Sequence, residues 1–175
     1  MPRAFRLSTN VPVYTFTSTH LWWSDGPDLS RLDLATFENH IGASFPTRVL
    51  RIDANDSWCV VETHTVFDGF MLWKSDGTII AKHVGRMILT RNRVVYELIP
   101  TIMSWDFHGP QQPLFTGRLQ SATSDQLLYK DSNGILKWQD GAVARSSARL
   151  DAEETLAPPF KVVSREDGWW IESNH

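Results

Sequence analysis

The sequence has few features of a secreted, membrane-spanning or disulfide-rich protein. Its 175 residues include one cysteine, Cys59, so no disulfide can form within the chain. The longest unbroken apolar run, Phe70–Trp73, is far shorter than the roughly 20 residues that span a bilayer. No apolar leader segment follows Arg3 and Arg6. These absences predict a cytoplasmic protein without membrane contact.

A strong excess of charge is also missing. Seventeen Lys and Arg stand against 20 Asp and Glu, for a formal net charge of −3. A protein that grips nucleic acid through phosphates usually carries a basic surface, so nucleic acid is not an expected partner. Apolar residues make up 42% and charged residues 21%, which is typical of a folded globular domain and excludes a disordered chain.

Common cofactor and catalytic motifs are absent as well. No Gly-rich phosphate loop follows a predicted strand, and no Ser lies between two Gly at the spacing of a nucleophile elbow. The chain has no visible internal repeat. The sequence therefore predicts no cofactor.

Aromatic residues are abundant, with eight Trp, nine Phe and three Tyr. Each can bury roughly 150–250 Å², so together they can fill a core or line a cavity. Two tryptophan pairs, Trp22-Trp23 and Trp169-Trp170, lie near the two ends. Adjacent residues on a strand point to opposite faces, so spacing alone does not assign these pairs to a core or to an interface.

One segment predicts a helix. Ser30 is placed to act as its N-cap, Asp33 as the capping-box partner, and Gly42 as the residue that ends it. His40 would lie in the last turn. Apolar residues recur between these ends at helical spacing: Leu34, Phe37 and Ile41.

Most of the remaining chain predicts short antiparallel strands at a spacing of about 8–12 residues. The pairs Asp68-Gly69 and Asp76-Gly77 are strong hairpin signals. Val94–Trp105 is long enough for one strand that bends at Pro100, and Pro113–Ser121 predicts the next. A further strand is predicted over residues 142–150.

A meander of this length must close or split into two sheets. We expect a mainly β, single-domain protein over residues 1–175, built as an antiparallel β-barrel of lipocalin-like or calycin-like shape with the short helix at one mouth. The alternative is an α+β cone-shaped barrel of the NTF2-like type. That fold usually needs several N-terminal helices, and the sequence predicts one.

The first candidate site lies on the strand predicted over residues 57–66. Glu62 and His64 share a face with Trp58, and a carboxylate two residues from an imidazole could orient it as a general base or supply metal ligands. The alternative is that this face is exposed and the other one is buried. The residues pointing inward would then be Cys59, Val61, Thr63 and Thr65.

Three further candidates lie later in the chain. His83 lies on the strand predicted over Thr78–Val84, on the apolar face of Ile79 and Ala81, and is either an acid/base group or a core histidine. Asp106 and His108 precede Gly109 and form either a barrel-mouth pair or an exposed turn. Tyr96 is either a hydrogen-bond donor to developing negative charge or a core residue.

These patterns predict that the barrel binds a small hydrophobic molecule and performs cofactor-independent acid/base chemistry on it, as a cyclase, isomerase or lyase of a biosynthetic reaction. A homodimer is compatible with this function. A metal site from the His and Glu candidates fits no known spacing, so no metal is predicted. The catalytic candidates are His83, His108, Asp106, Glu62 and Tyr96, and the ligand-binding candidates are Trp58, His64, Trp73 and Trp105.

The alternative function is a protein-interaction module without catalysis, such as an inhibitor, an immunity-type protein or an assembly partner. It would bind through exposed tryptophans and a sheet edge.

Overall fold

A computed structural model of the chain describes residues 3–140, 143–145 and 159–173. These residues form β-strands, turns and short connections, and they contain no helix. The chain divides into two units, residues 1–80 with 155–175 and residues 81–154.

The described strands follow one another in chain order. They are β1 (Ala4–Ser8), β2 (Val13–Phe16), β3 (His20–Ser24), β4 (Asp28–Asp33), β5 (Asn39–Ser44), β6 (Arg51–Ala54), β7 (Cys59–Thr65), β8 (Gly69–Lys74), β9 (Ile79–Ala81), β10 (Met87–Leu89), β11 (Val94–Leu98), β12 (Thr101–Trp105), β13 (Gln112–Thr116), β14 (Arg118–Ala122), β15 (Gln126–Lys130), β16 (Leu136–Asp140), β17 (Val143–Arg145), β18 (Phe160–Arg165) and β19 (Gly168–Ser173).

The first unit contains three small sheets. One has the order β1-β19-β18, so the first strand pairs with the last one. The second has the order β2-β3-β4-β5 and the third β6-β7-β8-β9, each made of strands that are neighbours in sequence. The last residue of β9, Ala81, opens the second unit.

Among its described residues, the first unit has two cores, and each lies between successive sheets. One joins the sheet of β1, β18 and β19 to the sheet of β2–β5 and includes Leu7, Leu21 and Ile171. The other joins β2–β5 to β6–β9 and includes Leu29, Val61 and the ring of Trp73. The alternating apolar residues of each strand supply these layers.

The second unit contains two sheets, β10-β11-β12-β13 and β14-β15-β16-β17. Their shared core includes Val95, Ile102, Leu119 and Leu127, with the rings of Phe115 and Tyr129 stacked at 4.6 Å between centroids. Strands that are neighbours in sequence therefore build both of these sheets, and their apolar faces pack together.

The predicted helix over residues 30–42 is wrong. The segment forms the end of β4, a turn and most of β5. Asp33 does cap backbone N–H groups, those of Ala35 and Thr36, but it closes a hairpin turn in which Phe37 adopts a positive φ of 58°. An N-cap and an Asx turn use the same short-range hydrogen bonds, so the cap signal does not distinguish them.

The barrel of lipocalin-like or calycin-like shape is also wrong, and so is the cone-shaped α+β alternative of the NTF2-like type. The described strands form five small antiparallel sheets, none closed into a barrel, and the helices that the alternative needs are absent from the described residues. Strand count and turn length are the same for a barrel and for a row of separate sheets. The single-domain assignment of residues 1–175 stays a prediction.

Several individual strands are confirmed, among them β7 and β8 with the Asp76-Gly77 turn that follows. The single bent strand predicted over Val94–Trp105 is wrong, because β11 and β12 form a hairpin there. The strand predicted over Pro113–Ser121 splits at Gly117, where β13 ends in one sheet and β14 begins in another. Of the strand predicted over 142–150, Val143–Arg145 is present and the rest lies outside the described residues.

Candidate functional site

The Glu62 and His64 pair does not form a buried acid/base site. Glu62 is half-buried on β7 opposite Arg51 of β6; burial raises the pKa of its carboxyl, and the charge of Arg51 opposes that rise. His64 is exposed, and its ring lies against Phe70 with 4.7 Å between ring centroids. Among the described residues, no hydrogen bond or ion pair joins Glu62 to His64.

The other two ligand-binding candidates of the first unit differ in their surroundings. Trp73 is buried in the core between two sheets, where its indole Nε1 donates to Thr63 Oγ1 at 2.9 Å and its ring meets Phe45 edge-on. Trp58 is half-buried and lies directly before the first residue of β7. Trp73 therefore fills a core instead of lining a barrel cavity.

The histidine candidates of the second unit are exposed. His83 lies in the bend after β9 with a positive φ of 54°. Asp106 and His108 lie in the turn after β12, where Asp106 Oδ1 accepts the backbone N–H of His108 at 2.9 Å. Trp105 is half-buried beside them and packs against Phe107. Asp106 thus shapes its own turn, as the second interpretation of this pair expects.

Tyr96 is fully buried on β11. Burial raises the pKa of its phenol to about 12, so the hydroxyl stays neutral at physiological pH. The Oη atom has no hydrogen-bond partner within the part of the chain that the structure describes.

Within the described part of the second unit, the carboxylate with the most hydrogen bonds is one that the sequence did not single out, Glu97 on β11. It is fully buried, and its Oε1 accepts the backbone N–H of Arg86 at 2.7 Å. Its Oε2 accepts the backbone N–H of Leu119 at 2.7 Å and the Nε–H of Arg118 at 3.0 Å. Burial opposes ionisation, but these donors outweigh it and lower the pKa of Glu97. Glu97 joins the two sheets of this unit and is structural.

A metal centre finds no support in the part of the structure described. Across residues 3–140, 143–145 and 159–173, no three His, Cys, Asp or Glu residues lie close enough to hold a metal ion. The one thiol, Cys59, is buried, and burial together with the charge of Asp53 raises its pKa.

Among the described residues of the first unit, the turn between β7 and β8 carries the most exposed large apolar side chains. Val66 and Phe67 are each 90% exposed. Below them, Thr65 Oγ1 accepts the backbone N–H of Asp68 and holds the turn. Part of the sequence signal was available, since Phe67 lies between the end of the strand predicted over residues 57–66 and the Asp68-Gly69 turn. We call Val66 and Phe67 the hairpin tip.

The first unit also has an open cleft of about 380 Å³. Three of its side chains form a row across neighbouring strands, because Trp22 of β3 pairs with Arg31 of β4, and Arg31 pairs with His40 of β5. The Arg31 guanidinium lies over the Trp22 ring, 5.5 Å from its centroid. The remaining lining residues are Leu29, Gly42, Ala43, Ser75 and Asp76.

The tryptophan pairs divide between core and surface. Trp23 is buried, and its Nε1 donates to Asn39 Oδ1 at 3.0 Å. Trp22 is half-buried in the cleft wall, and Trp169 and Trp170 are half-buried on β19.

No family model and no curated protein matches this sequence. Solved structures do match it. The N-terminal domain of Nup159 gives a TM-score of 0.52 at 9% identity, over 89% of this chain and 49% of that one. Hsv2p of Kluyveromyces lactis gives 0.45 at 16% identity over 75% and 46%, and K. lactis Hsv2 with complete loop 6CD gives 0.46 at 14% over 91% and 55%. The chain spans about half the length of these structures.

At such low identity, the match to the Nup159 domain shows a likeness of fold alone, and that fold is β-propeller-like. Small antiparallel sheets of four strands are the blades of such proteins. The class that the fold defines is therefore a β-propeller-like protein.

This class corrects the functional prediction. The hydrophobic-ligand barrel enzyme is wrong, because the described sheets stay separate, and the specific expectation of a cyclase, isomerase or lyase is wrong with it. The protein-interaction module that the sequence left open stays a prediction, since a likeness of fold does not assign a role. Catalysis as such, the roles of the candidate residues, the homodimer and the expected partners stay predictions. No helix in the described residues is long and apolar enough to cross a membrane.

Proposed function

We propose that this chain is a protein-interaction module that docks on a partner protein through its hairpin tip. The observation that carries the proposal is the exposure of Val66 and Phe67, 90% each, at the end of a regular hairpin. Large apolar side chains that give a fold no burial are typical of surfaces that bind other proteins.

The hairpin that carries these side chains is regularly paired up to its turn. Strands β7 and β8 pair without interruption from Val60 opposite Lys74 to Thr65 opposite Gly69. The His64 and Phe70 rings pack together one step below the tip. A preorganised loop loses less entropy on binding than a flexible one, so more of the contact energy appears as affinity.

The partner that fits this tip has an apolar pocket that accepts one aromatic ring. A phenylalanine can bury roughly 150–250 Å², which makes Phe67 the anchor of the contact. Val66 would contact the rim of the pocket. We include a cytoplasmic location in this proposal, because a single buried cysteine such as Cys59 suits a reducing compartment.

The test compares Phe67→Ser with Ile135→Ser in the full chain, purified under native conditions from cells that express it naturally. Ile135 is a matched control, since it is an apolar residue in a turn and 57% exposed. We expect a partner to co-purify stoichiometrically with the wild type and with Ile135→Ser, and to be lost with Phe67→Ser. Both variants should keep the wild-type free energy of unfolding within about 0.5 kcal/mol.

Two outcomes would refute the proposal. One is a partner that stays bound to Phe67→Ser. The other is the absence of any stoichiometric partner from the wild-type preparation.

A further inference from the structure

The cleft of the first unit holds an arginine, Arg31, that lies against an aromatic ring and has no anionic partner in the part of the chain that the structure describes. Arg31 lies over Trp22 in the middle of the three-residue row that His40 completes. Stacking on an aromatic ring restricts the guanidinium plane and leaves its N–H groups free to donate at the edge. Among the described residues, no carboxylate lies within ion-pair distance of Arg31.

A second arginine of the same unit lies over a tryptophan in the same way and also has a carboxylate partner. Arg165 lies over the Trp170 ring, 5.0 Å from its centroid, and forms an ion pair with Glu172. Both arginines stack on a tryptophan, but only Arg165 has a carboxylate from its own sheet. Among the described residues, Arg31 therefore lacks the carboxylate that accompanies the same arginine–tryptophan contact at Arg165.

The surroundings of Arg31 favour an extended ligand. Strand β5 forms an edge of its sheet and contains neither Lys nor Pro, two residues that commonly protect edges. Its first part, Asn39 to Ile41, pairs regularly with β4, and the register shifts only beyond Ile41. An added strand can therefore form main-chain hydrogen bonds beside His40 while one of its side chains enters the cleft.

The other charges of the cleft are already engaged. Asp76 lies 3.6 Å from Lys74 Nζ and accepts the backbone N–H of Thr78. Glu38 lies 3.9 Å from His40 Nε2. Of the charged residues that line the cleft, Arg31 alone has no ion-pair partner among the described residues, so an acidic side chain complements the cleft.

We propose that the cleft binds an extended acidic segment of a partner protein, whose Asp or Glu carboxylate accepts hydrogen bonds from the Arg31 guanidinium. Paired N–H···O bonds between arginine and carboxylate are among the strongest in proteins. This surface differs from the hairpin tip, so the inference goes beyond the proposed function and is tested separately.

The experiment selects ligands for the full chain from a displayed library of random twelve-residue peptides. We expect the recovered peptides to share an Asp or Glu at one position. A synthetic peptide of that consensus should bind the wild type and lose at least tenfold in affinity for Arg31→Gln. The matched control Arg165→Gln, which removes the other stacked arginine, should bind within twofold of wild type.

A double-mutant cycle then tests direct contact. Replacing the consensus acid by Gln or Asn should weaken binding to the wild type at least tenfold, but should weaken binding to Arg31→Gln less than twofold. Phe67→Ser should bind the peptide normally, so failure of the cleft and failure of the hairpin tip are distinguishable. Recovery of no peptide, of peptides without an acidic position, or of peptides that bind Arg31→Gln as tightly as wild type would overturn the inference.

Discussion

Replacing Glu97 by Gln tests whether one buried carboxylate joins the two sheets of the second unit. A glutamine has one carbonyl oxygen, and the best orientation turns it toward Leu119 and Arg118. The NH₂ group of the glutamine then faces the backbone N–H of Arg86. In the wild type, that N–H donates to Glu97 Oε1 at 2.7 Å, and in the variant it has no acceptor there. A buried donor left without an acceptor costs about 1–3 kcal/mol.

The lost ion pair adds less than the lost hydrogen bond. The side chain of Arg118 is 58% exposed, so water screens its attraction to Glu97, and such pairs contribute about 0–1 kcal/mol. We therefore expect Glu97→Gln to lower the free energy of unfolding by about 1–4 kcal/mol at pH 7. Urea denaturation followed by tryptophan fluorescence measures it. Glu166→Gln, at an exposed glutamate, is the matched control and should change stability by less than about 0.5 kcal/mol.

The same variant carries a signature in pH. Burial alone would raise the pKa of Glu97, but its hydrogen bonds outweigh burial and lower this pKa in the folded chain below the ordinary value of 4.5. The carboxylate therefore stabilises the fold fully at pH above the unfolded pKa, and this contribution is lost as the pH falls through the folded pKa. The difference in free energy of unfolding between wild type and Glu97→Gln should therefore become smaller as the pH is lowered from 7 toward 3. A gap below 0.5 kcal/mol at pH 7, or one that stays constant down to pH 3, would refute the structural role of Glu97.

Two further predictions concern the first unit. Gly168 has a φ of 133°, and the Cβ of Gly168→Ala would lie 2.3 Å from the Ser8 carbonyl oxygen, so the pairing of β1 with β19 must shift. We expect the free energy of unfolding, measured by urea denaturation, to fall by about 3 kcal/mol or more. The control Gly26→Ala meets no atom within 4 Å and should change it little. Thr63→Val leaves the buried Nε1 of Trp73 without its acceptor and should cost about 1–3 kcal/mol; a variant as stable as wild type would contradict that hydrogen bond.

The later strands could be predicted because their signals are local. Asp76-Gly77 allows the φ of 90° that Gly77 adopts, and Asp76 accepts the N–H of Thr78, so two neighbouring residues place a hairpin without help from the rest of the chain. The segment around Asp33 has equally clear local signals, but they suit both a helix cap and a tight turn. Packing of Leu29, Leu32 and Leu34 against neighbouring sheets selects the turn, and that information is not local.

The barrel and the separate sheets differ in long-range pairing, which the sequence does not display. The pairing of Phe5 with Ile171 joins residues from the first and last described strands, and no local feature of either strand specifies the other as its partner. The row of Trp22, Arg31 and His40 was out of reach for a related reason. It needs the register of three strands, two of which lie in or beside the segment that was predicted to be helical.

The catalytic candidates were chosen as polar residues on apolar faces, a choice that suits an enzyme with an internal cavity. In a protein built from stacked hairpins, the apolar faces are consumed by packing of one sheet on the next, as the buried Val61 and Trp73 illustrate. Side chains in turns and at sheet edges do not take part in this packing, so they are available to contact other molecules. Phe67 at a turn and Arg31 beside an edge strand are residues of this kind. The absence of a visible sequence repeat has the same origin, since similar sheets need only a pattern of apolar positions and each can vary its turns and edges independently.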